Sequence, residues 1–327
     1  MKLRNLIIIA ASVIALLLTL GSLYLSSGEF NPQNIGWDGL YGIFHSGGIS
    51  PMYDLSDIGG MAEGSTLFII APSMNFTAEE AGAVSSFLND GGRVVVMDDY
   101  GTSNSLLEGI NSPIRLNRVP LCQDKDFYKS PAFPNVRDIS PSTVTSNVTL
   151  LVFNHPVPLS ISGDASVIAA TSGSAWLDYD DDRRLGPDEK LGQYPLIAST
   201  SYGRGELIVV GDPDLFINAM IGFGDNGVLM KNLLEGGEAC VDVSHGMEMP
   251  LLARIYYIVK YSIPAQILVT ILLALIVYAS YRIYLSHQRK DMNEHPVDID
   301  VKRSIITYMK LKLPLQDKDI NELNKKL

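Results

Sequence analysis

Residues 66–99 read TLFIIAPSMNFTAEEAGAVSSFLNDGGRVVVMDD, and their order decides the fold class. Thr66 to Ala71 is a continuous apolar run, as expected of a strand buried on both faces. Thr77 and Glu80 have the spacing of a capping box, which predicts an amphipathic helix through Leu88 that stops at Gly91 and Gly92. Arg93 to Met97 is a second β-branched run, closed by Asp98 and Asp99. Strand, helix of about a dozen residues and strand make a parallel crossover unit, hence an α/β domain with a mostly parallel sheet.

Working outward, Val167–Thr171, Leu196–Ser201 and Leu207–Val210 repeat the strand pattern, and Pro213–Met220 and Asn226–Glu235 read as helices. Upstream, Asp38 is placed to cap a short helix ending near Gly47 and Gly48. Residues 112–158 are rich in Pro, Ser and Asn, with weaker strands at Ile114–Leu116 and Val148–Phe153. They read as an insertion or an irregular sheet edge.

The domain is flanked by two uncharged runs, Leu6 to Leu25 and Ile263 to Tyr281. Each is long enough to cross about 30 Å of hydrocarbon as a helix. The expected layout is a tail at 1–5, a span at 6–25 and an outer domain at 27–248. An aromatic stalk follows at 249–262, then a second span at 263–284 and a helical tail at 285–327. Residues 1–5 hold two basic groups and no acid, residues 27–262 hold 13 basic and 29 acidic, and residues 282–327 hold ten and seven. Basic flanks face the cytoplasm, so a two-pass protein of the cell membrane is expected, both termini inside and the acidic domain outside. The net charge of −11 excludes a nucleic-acid partner, which needs a basic face. Two glycosylation sequons, at Asn75 and Asn147, agree with an outer domain.

Two stretches carry a family resemblance, APSMNFTAEEAGAVSSFLNDGGRVVVMDDYGTSNSLLEGI at 71–110 and SAWLDYDDDRRLGPDEKLGQYPLIASTSYGRGELIVVGDPDLFINAMIGFGDNGVLMKNLL at 174–234. They resemble the domain-of-unknown-function 4350 family, membrane-anchored proteins similar to glutamine amidotransferases. The resemblance implies a flavodoxin-like domain related to class I amidotransferases. Family context implies a partner among MoxR-type AAA ATPases and a role in membrane assembly or export.

An active amidotransferase needs a cysteine on a strained strand-to-helix turn. Here those turns read Ala71-Pro72-Ser73 and Asp98-Asp99-Tyr100-Gly101, and Cys122 and Cys240 lie elsewhere. No catalytic residue is assigned. Ser73, Asp98, Asp99, Asp212 and Asp214 end buried strands, where α/β sheets bind ligands, and form the candidate ligand site. The competing reading makes each a turn or cap residue. A disulfide between Cys122 and Cys240 is a further expectation of an outer domain.

The sharpest local signal is residues 178–189. With Asp178 as position one, Asp180 falls at three, Asp182 at five, Arg184 at seven and Glu189 at twelve, the spacing of a calcium loop. Arg183 occupies position six, where such loops carry glycine. A solvated acidic turn stands beside calcium as the other reading. The expected role is a non-catalytic, membrane-anchored binding or scaffold protein. The alternatives are an extracytoplasmic hydrolase and a small-ligand sensor, both using the polar sheet edge.

Overall fold

The computed structural model describes residues 28–246, 263–294 and 299–312. The first stretch is an α/β domain around one eight-stranded sheet. Its strands are β1 (Ile49–Met52), β2 (Thr66–Ile70), β3 (Arg93–Met97), β4 (Asp138–Ile139), β5 (Ser166–Ala170), β6 (Pro195–Tyr202), β7 (Gly205–Val210) and β8 (Ala239–Asp242). They lie in the order β1-β8-β2-β3-β7-β6-β5-β4. The five strands from β1 to β7 are mutually parallel. The last three pair antiparallel, so the sheet is mixed.

Alternation along the central strands supplies two cores. Leu67, Ile69, Val94, Val96, Leu207 and Val209 point to one face, under helix α2 (Ala78–Asn89) with its Val84, Phe87 and Leu88. Phe68, Ile70, Val95, Met97, Ile208 and Val210 point to the other. There they meet helix α1 (Tyr41–Gly47) and helix α4 (Asn226–Leu234). Helix α3 (Asn104–Gly109) joins the α2 side through Leu106 and Leu107. Both faces of β2 and β3 are therefore covered, which is why their sequences are continuous apolar runs. Each fully buried side chain of this size contributes roughly 1.5–3 kcal/mol.

The capping box forms as spaced. Thr77 Oγ1 accepts from the Glu80 amide at 3.3 Å, and Glu80 Oε2 accepts from the Thr77 amide at 2.7 Å. The chain crosses from β2 to β3 by α2 on one face and from β7 to β8 by α4 on the other. The two crossovers therefore cover opposite faces of the sheet, and the loops after β3 and β7 approach one another at its carboxyl edge.

Several expectations are corrected. Strands β1 and β8 were not legible, and β8 inserts between β1 and β2. Asp38 caps no helix: α1 has Leu40 at its N-cap with no side-chain cap bond, and Asp38 Oδ1 accepts from the Asn34 side-chain amide instead. The helix expected at Pro213–Met220 is one 3₁₀ turn, Pro213–Phe216. Both cysteines are free and buried. Cys122 lies on a two-stranded ladder against Trp176, Cys240 on β8 in the α2-side core, so no disulfide joins them.

The remaining described elements are helices α5 (Ile263–Glu294) and α6 (Ile299–Lys312). Helix α5 contains the predicted span 263–281. Ile267, Leu268, Ile271, Leu275, Ile276, Val277 and Tyr278 are exposed around its circumference. Counted over the described residues alone, no helix is long and apolar enough to cross a membrane. The predicted span at 6–25, the stalk at 249–262 and the tail beyond 312 lie outside the described residues.

Candidate functional site

The carboxyl edge gathers acids from three elements. Asp98 and Asp99 follow β3, Asp212 and Asp214 follow β7, and Glu29 and Asp38 come from the amino-terminal loop. Asp98 is fully spent on structure: its carboxylate accepts from the amides of Tyr100 (2.8 Å), Gly101 (3.2 Å) and Ser103 (2.8 Å). Asp99 differs. Its Oδ1 is buried without a hydrogen-bond partner. Burial, then the charges of Asp98 and Glu29, push its carboxyl up to about 6.

Asp212 is completely buried and accepts from the amides of Asn154 (2.6 Å) and Asp214 (2.8 Å). Burial and the neighbouring Asp214 raise its proton affinity well above the usual carboxylate range. Asp214 accepts from the Asn154 side-chain amide. Burial first, then Asp99, Glu29 and Asp38, push it up to about 7. Asn154 reaches both acids because residues 154–157 cross tightly over Gly211: the Val157 amide donates to the Gly211 carbonyl at 2.7 Å. A Cβ on Gly211 would lie 1.9 Å from the Val157 carbonyl, so only glycine fits. Tyr100, exposed above the group, has its phenol pushed up, chiefly by Asp99.

Ser73 is not part of this group. Its hydroxyl donates to the Gly246 carbonyl at 2.8 Å, and its amide to the His245 carbonyl at 2.7 Å. His245 is a residue the sequence did not flag. Its Nδ1 lies 2.7 Å from Asp242 Oδ2, its Nε2 lies 3.2 Å from Glu80 Oε1, and its ring stacks on Phe76 at 4.0 Å. Burial works against a charged imidazole here. The Asp242 hydrogen bond and charge, with Glu80's, outweigh it, and the net shift is upward. This cluster ties the end of β8 to the start of α2. Both ring nitrogens face carboxylates, so it has no free base. His155, at φ +54°, is half-buried, with its ring edge on Phe133. Burial first, then Arg183, lowers its affinity for a proton.

At the carboxyl end of β2, Ala71 adopts φ +44°. That left-handed backbone is strained for a residue with a side chain.

The 178–189 segment folds as a tight loop. One oxygen from each of Asp178, Asp180 and Asp182 lies within 4.8 Å of the others, so the triad could hold a metal ion. Asp178 is buried and accepts from the amides of Asp182 (3.2 Å) and Arg183 (3.0 Å), while Asp180 and Asp182 are exposed. The Arg184 amide donates to Asp182. Glu189 does not join the triad: its oxygens accept from the amides of Tyr179 (3.0 Å) and Gly186 (2.7 Å). Arg183, in the glycine position, stands at φ +60°. Cys122 lies under the loop, its Sγ 3.6 Å from Asp178. Burial and that carboxylate push its thiol up to about 12.

Residues 29–234 match the family described as a domain of unknown function (DUF4350), and the chain belongs to that family. No curated protein matches it. Among solved structures it is similar to the mmIFT52 N-terminal domain, at 21% identity, TM-score 0.43, covering 57% of this chain and 82% of that one. A cytoplasmic protein of Salmonella typhimurium LT2 gives 11%, 0.39, 60% and 84%. A β-galactosidase from Bacillus circulans sp. alkalophilus gives 13%, 0.31, 52% and 22%.

Proposed function

We propose that this member of the DUF4350 family is a membrane-anchored binding or scaffold protein whose amidotransferase-like domain does no chemistry. The observation that carries this reading is that neither turn at the ends of β2 and β3 carries a cysteine. In the Ala71-Pro72-Ser73 turn after β2, the Ala71 methyl group cannot attack a carbonyl. The two cysteines support it, since both are buried and burial pushes both thiols up, away from the reactive thiolate. In this reading two spans, at 6–25 and 263–284, hold the domain outside the cell membrane. It rests on the uncharged runs of the sequence, since no helix counted over the described residues alone is long and apolar enough to cross. The uncharged 263–281 run and the exposed apolar side chains around α5 support the second of them.

The ligand edge is Asp99, Asp212 and Asp214, and the 178–189 loop takes calcium. On the cytoplasmic side, Ile305, Tyr308 and Leu311 make an exposed stripe on α6, suited to a partner such as a MoxR-type AAA ATPase. The test is purification of the full chain from native membranes in mild detergent. The expected result is an ATPase or assembly protein in constant ratio, lost on Tyr308→Asp, and no ammonia from glutamine. Ammonia release abolished by Cys122→Ser or Cys240→Ser would refute the reading.

A hydrolase is the second reading, favoured by one observation: Asp99 and Asp214 are pushed up to about 6 and about 7, where a general acid works near neutrality. Turnover of a glycan or peptide lost in both Asp99→Asn and Asp214→Asn would establish it.

A further inference from the structure

We infer that the carboxyl edge of the sheet lies against a neutral lipid surface, with Ile35 and Trp37 seated in the bilayer interface. The inference rests on the reading of the flanking segments as membrane anchors. Loop 31–39 presents Ile35 at 77% and Trp37 at 67% exposure. It is a firmly held loop. Asn34 is buried, donating to Asp38 and the Gly28 carbonyl and accepting from the Gly36 amide. Asn218 donates to the carbonyls of Asn34 and Gly36 and accepts from the Gly42 amide. Two large apolar side chains two residues apart on one hydrogen-bonded loop offer a surface that a partner can cover.

Met74 and Tyr100, also exposed, extend the same edge. The opposite edge is unlike it: its turns carry glycines together with Glu63, Asp90 and Arg204, all exposed.

The points where the described domain begins and stops say what covers this edge, because both lie beside it. Glu29 is close enough to Asp99 and Asp214 to act on their charges, and Gly246 accepts from Ser73 at the end of β2. Only Ser26 and Ser27 separate the uncharged run ending at Leu25 from Gly28. At roughly 3.5 Å per residue, this edge stands within about 10 Å of the end of that run, at headgroup depth. Tryptophan settles at that depth. The acids of the edge repel anionic headgroups, and they would equally oppose a second copy of the same face. The lipid is therefore neutral.

Trp37 and Trp176 are the chain's two tryptophans, and Trp176 is buried at 2% exposure. The test reconstitutes the full chain carrying Trp176→Phe in phosphatidylcholine vesicles. Trp37 emission should be blue-shifted, protected from acrylamide and quenched by lipids brominated near the top of the acyl chains. Quenching should fall as anionic lipid replaces neutral lipid. Should Trp176→Phe fold poorly, the difference between the wild type and Trp37→Phe isolates the same signal. Water-like, acrylamide-accessible emission overturns the inference. So does emission shielded from both quenchers, which would place a protein partner or a second copy on the loop. Alkaline carbonate extraction separates the two premises: a chain released by carbonate refutes the anchors, and a retained chain with a wet Trp37 refutes this inference alone.

Discussion

Replacing Asp99 with asparagine removes a charge at nearly constant volume from a place where that charge has no hydrogen-bond donor for one of its oxygens. The folded carboxyl titrates at about 6 against an ordinary 3.8, about two units, and each unit corresponds to about 1.4 kcal/mol. The folded state holds this proton more tightly than the unfolded chain does. Its stability is therefore greatest below about pH 4, and is lost as pH rises from there through about 6. By pH 8 the whole penalty, about 3 kcal/mol, is present. The asparagine amide titrates nothing, so Asp99→Asn should stabilise the domain by about 2–3 kcal/mol at pH 8 and by less than about 1 kcal/mol at pH 4. Asp214 and Tyr100 should both titrate lower in the variant, since Asp99 acts on each. Urea unfolding of the full chain carrying Trp37→Phe, followed by emission of the buried Trp176, measures the difference at the two pH values. An equal gain at both would assign the effect to packing, and no gain at pH 8 would refute the burial argument.

His245→Leu should cost about 3 kcal/mol or more at pH 6, because it leaves buried Asp242 without its cationic partner. The imidazole titrates above its ordinary value, so its contribution is full below about pH 6.5 and is lost as pH rises through the folded value; paired melts at pH 6 and pH 9 should show the deficit shrinking. Calcium at a hundred times its dissociation constant should add about 2.7 kcal/mol to stability. Asp180→Ala should abolish most of that gain and Arg183→Gly should enlarge it, by relieving the left-handed strain at φ +60°; identical melting with calcium and with chelator would leave 178–189 a solvated turn. Denatured, unreduced protein should titrate two thiols, with Cys122 far slower than a free thiol in the native state. Phe68→Ala, between β2 and the α4-side core, should cost about 3–5 kcal/mol in the same urea assay.

What the sequence made visible was whatever local chemistry determines. The unit from β2 to β3 was legible because a buried parallel strand needs a continuous apolar run and a helix start needs donors for its first amides. Both signals lie within a few residues of what they specify. Strand β8 has only Ala-Cys-Val-Asp, and β1 contains Ser50 and Pro51. Their pairing, Ile49 against Ala239, joins residues far apart in sequence and is set by tertiary packing. Asp38 departs from the cap role its position suggests for a related reason. A cap residue competes with every other donor in reach, and the Asn34 side chain reached it first.

The ligand edge shows the same limit more sharply, in two adjacent residues. Both Asp98 and Asp99 were picked out because they end a buried strand, and nothing in the sequence separates them. In the fold, successive side chains after β3 face opposite ways. Asp98 turns into a loop that offers three amides and becomes part of the backbone's own hydrogen bonding. Asp99 turns toward acids supplied by residues 29 and 214, with one oxygen left bare. Their roles are complementary. The satisfied acid fixes the loop, and the fixed loop holds the unsatisfied acid in a place it would not choose by solvation alone. A chain selected only for stability could relieve that cost with a single amide substitution. Of the five edge residues, Asp99 is the one with a buried side-chain oxygen that has no hydrogen-bond partner in the fold.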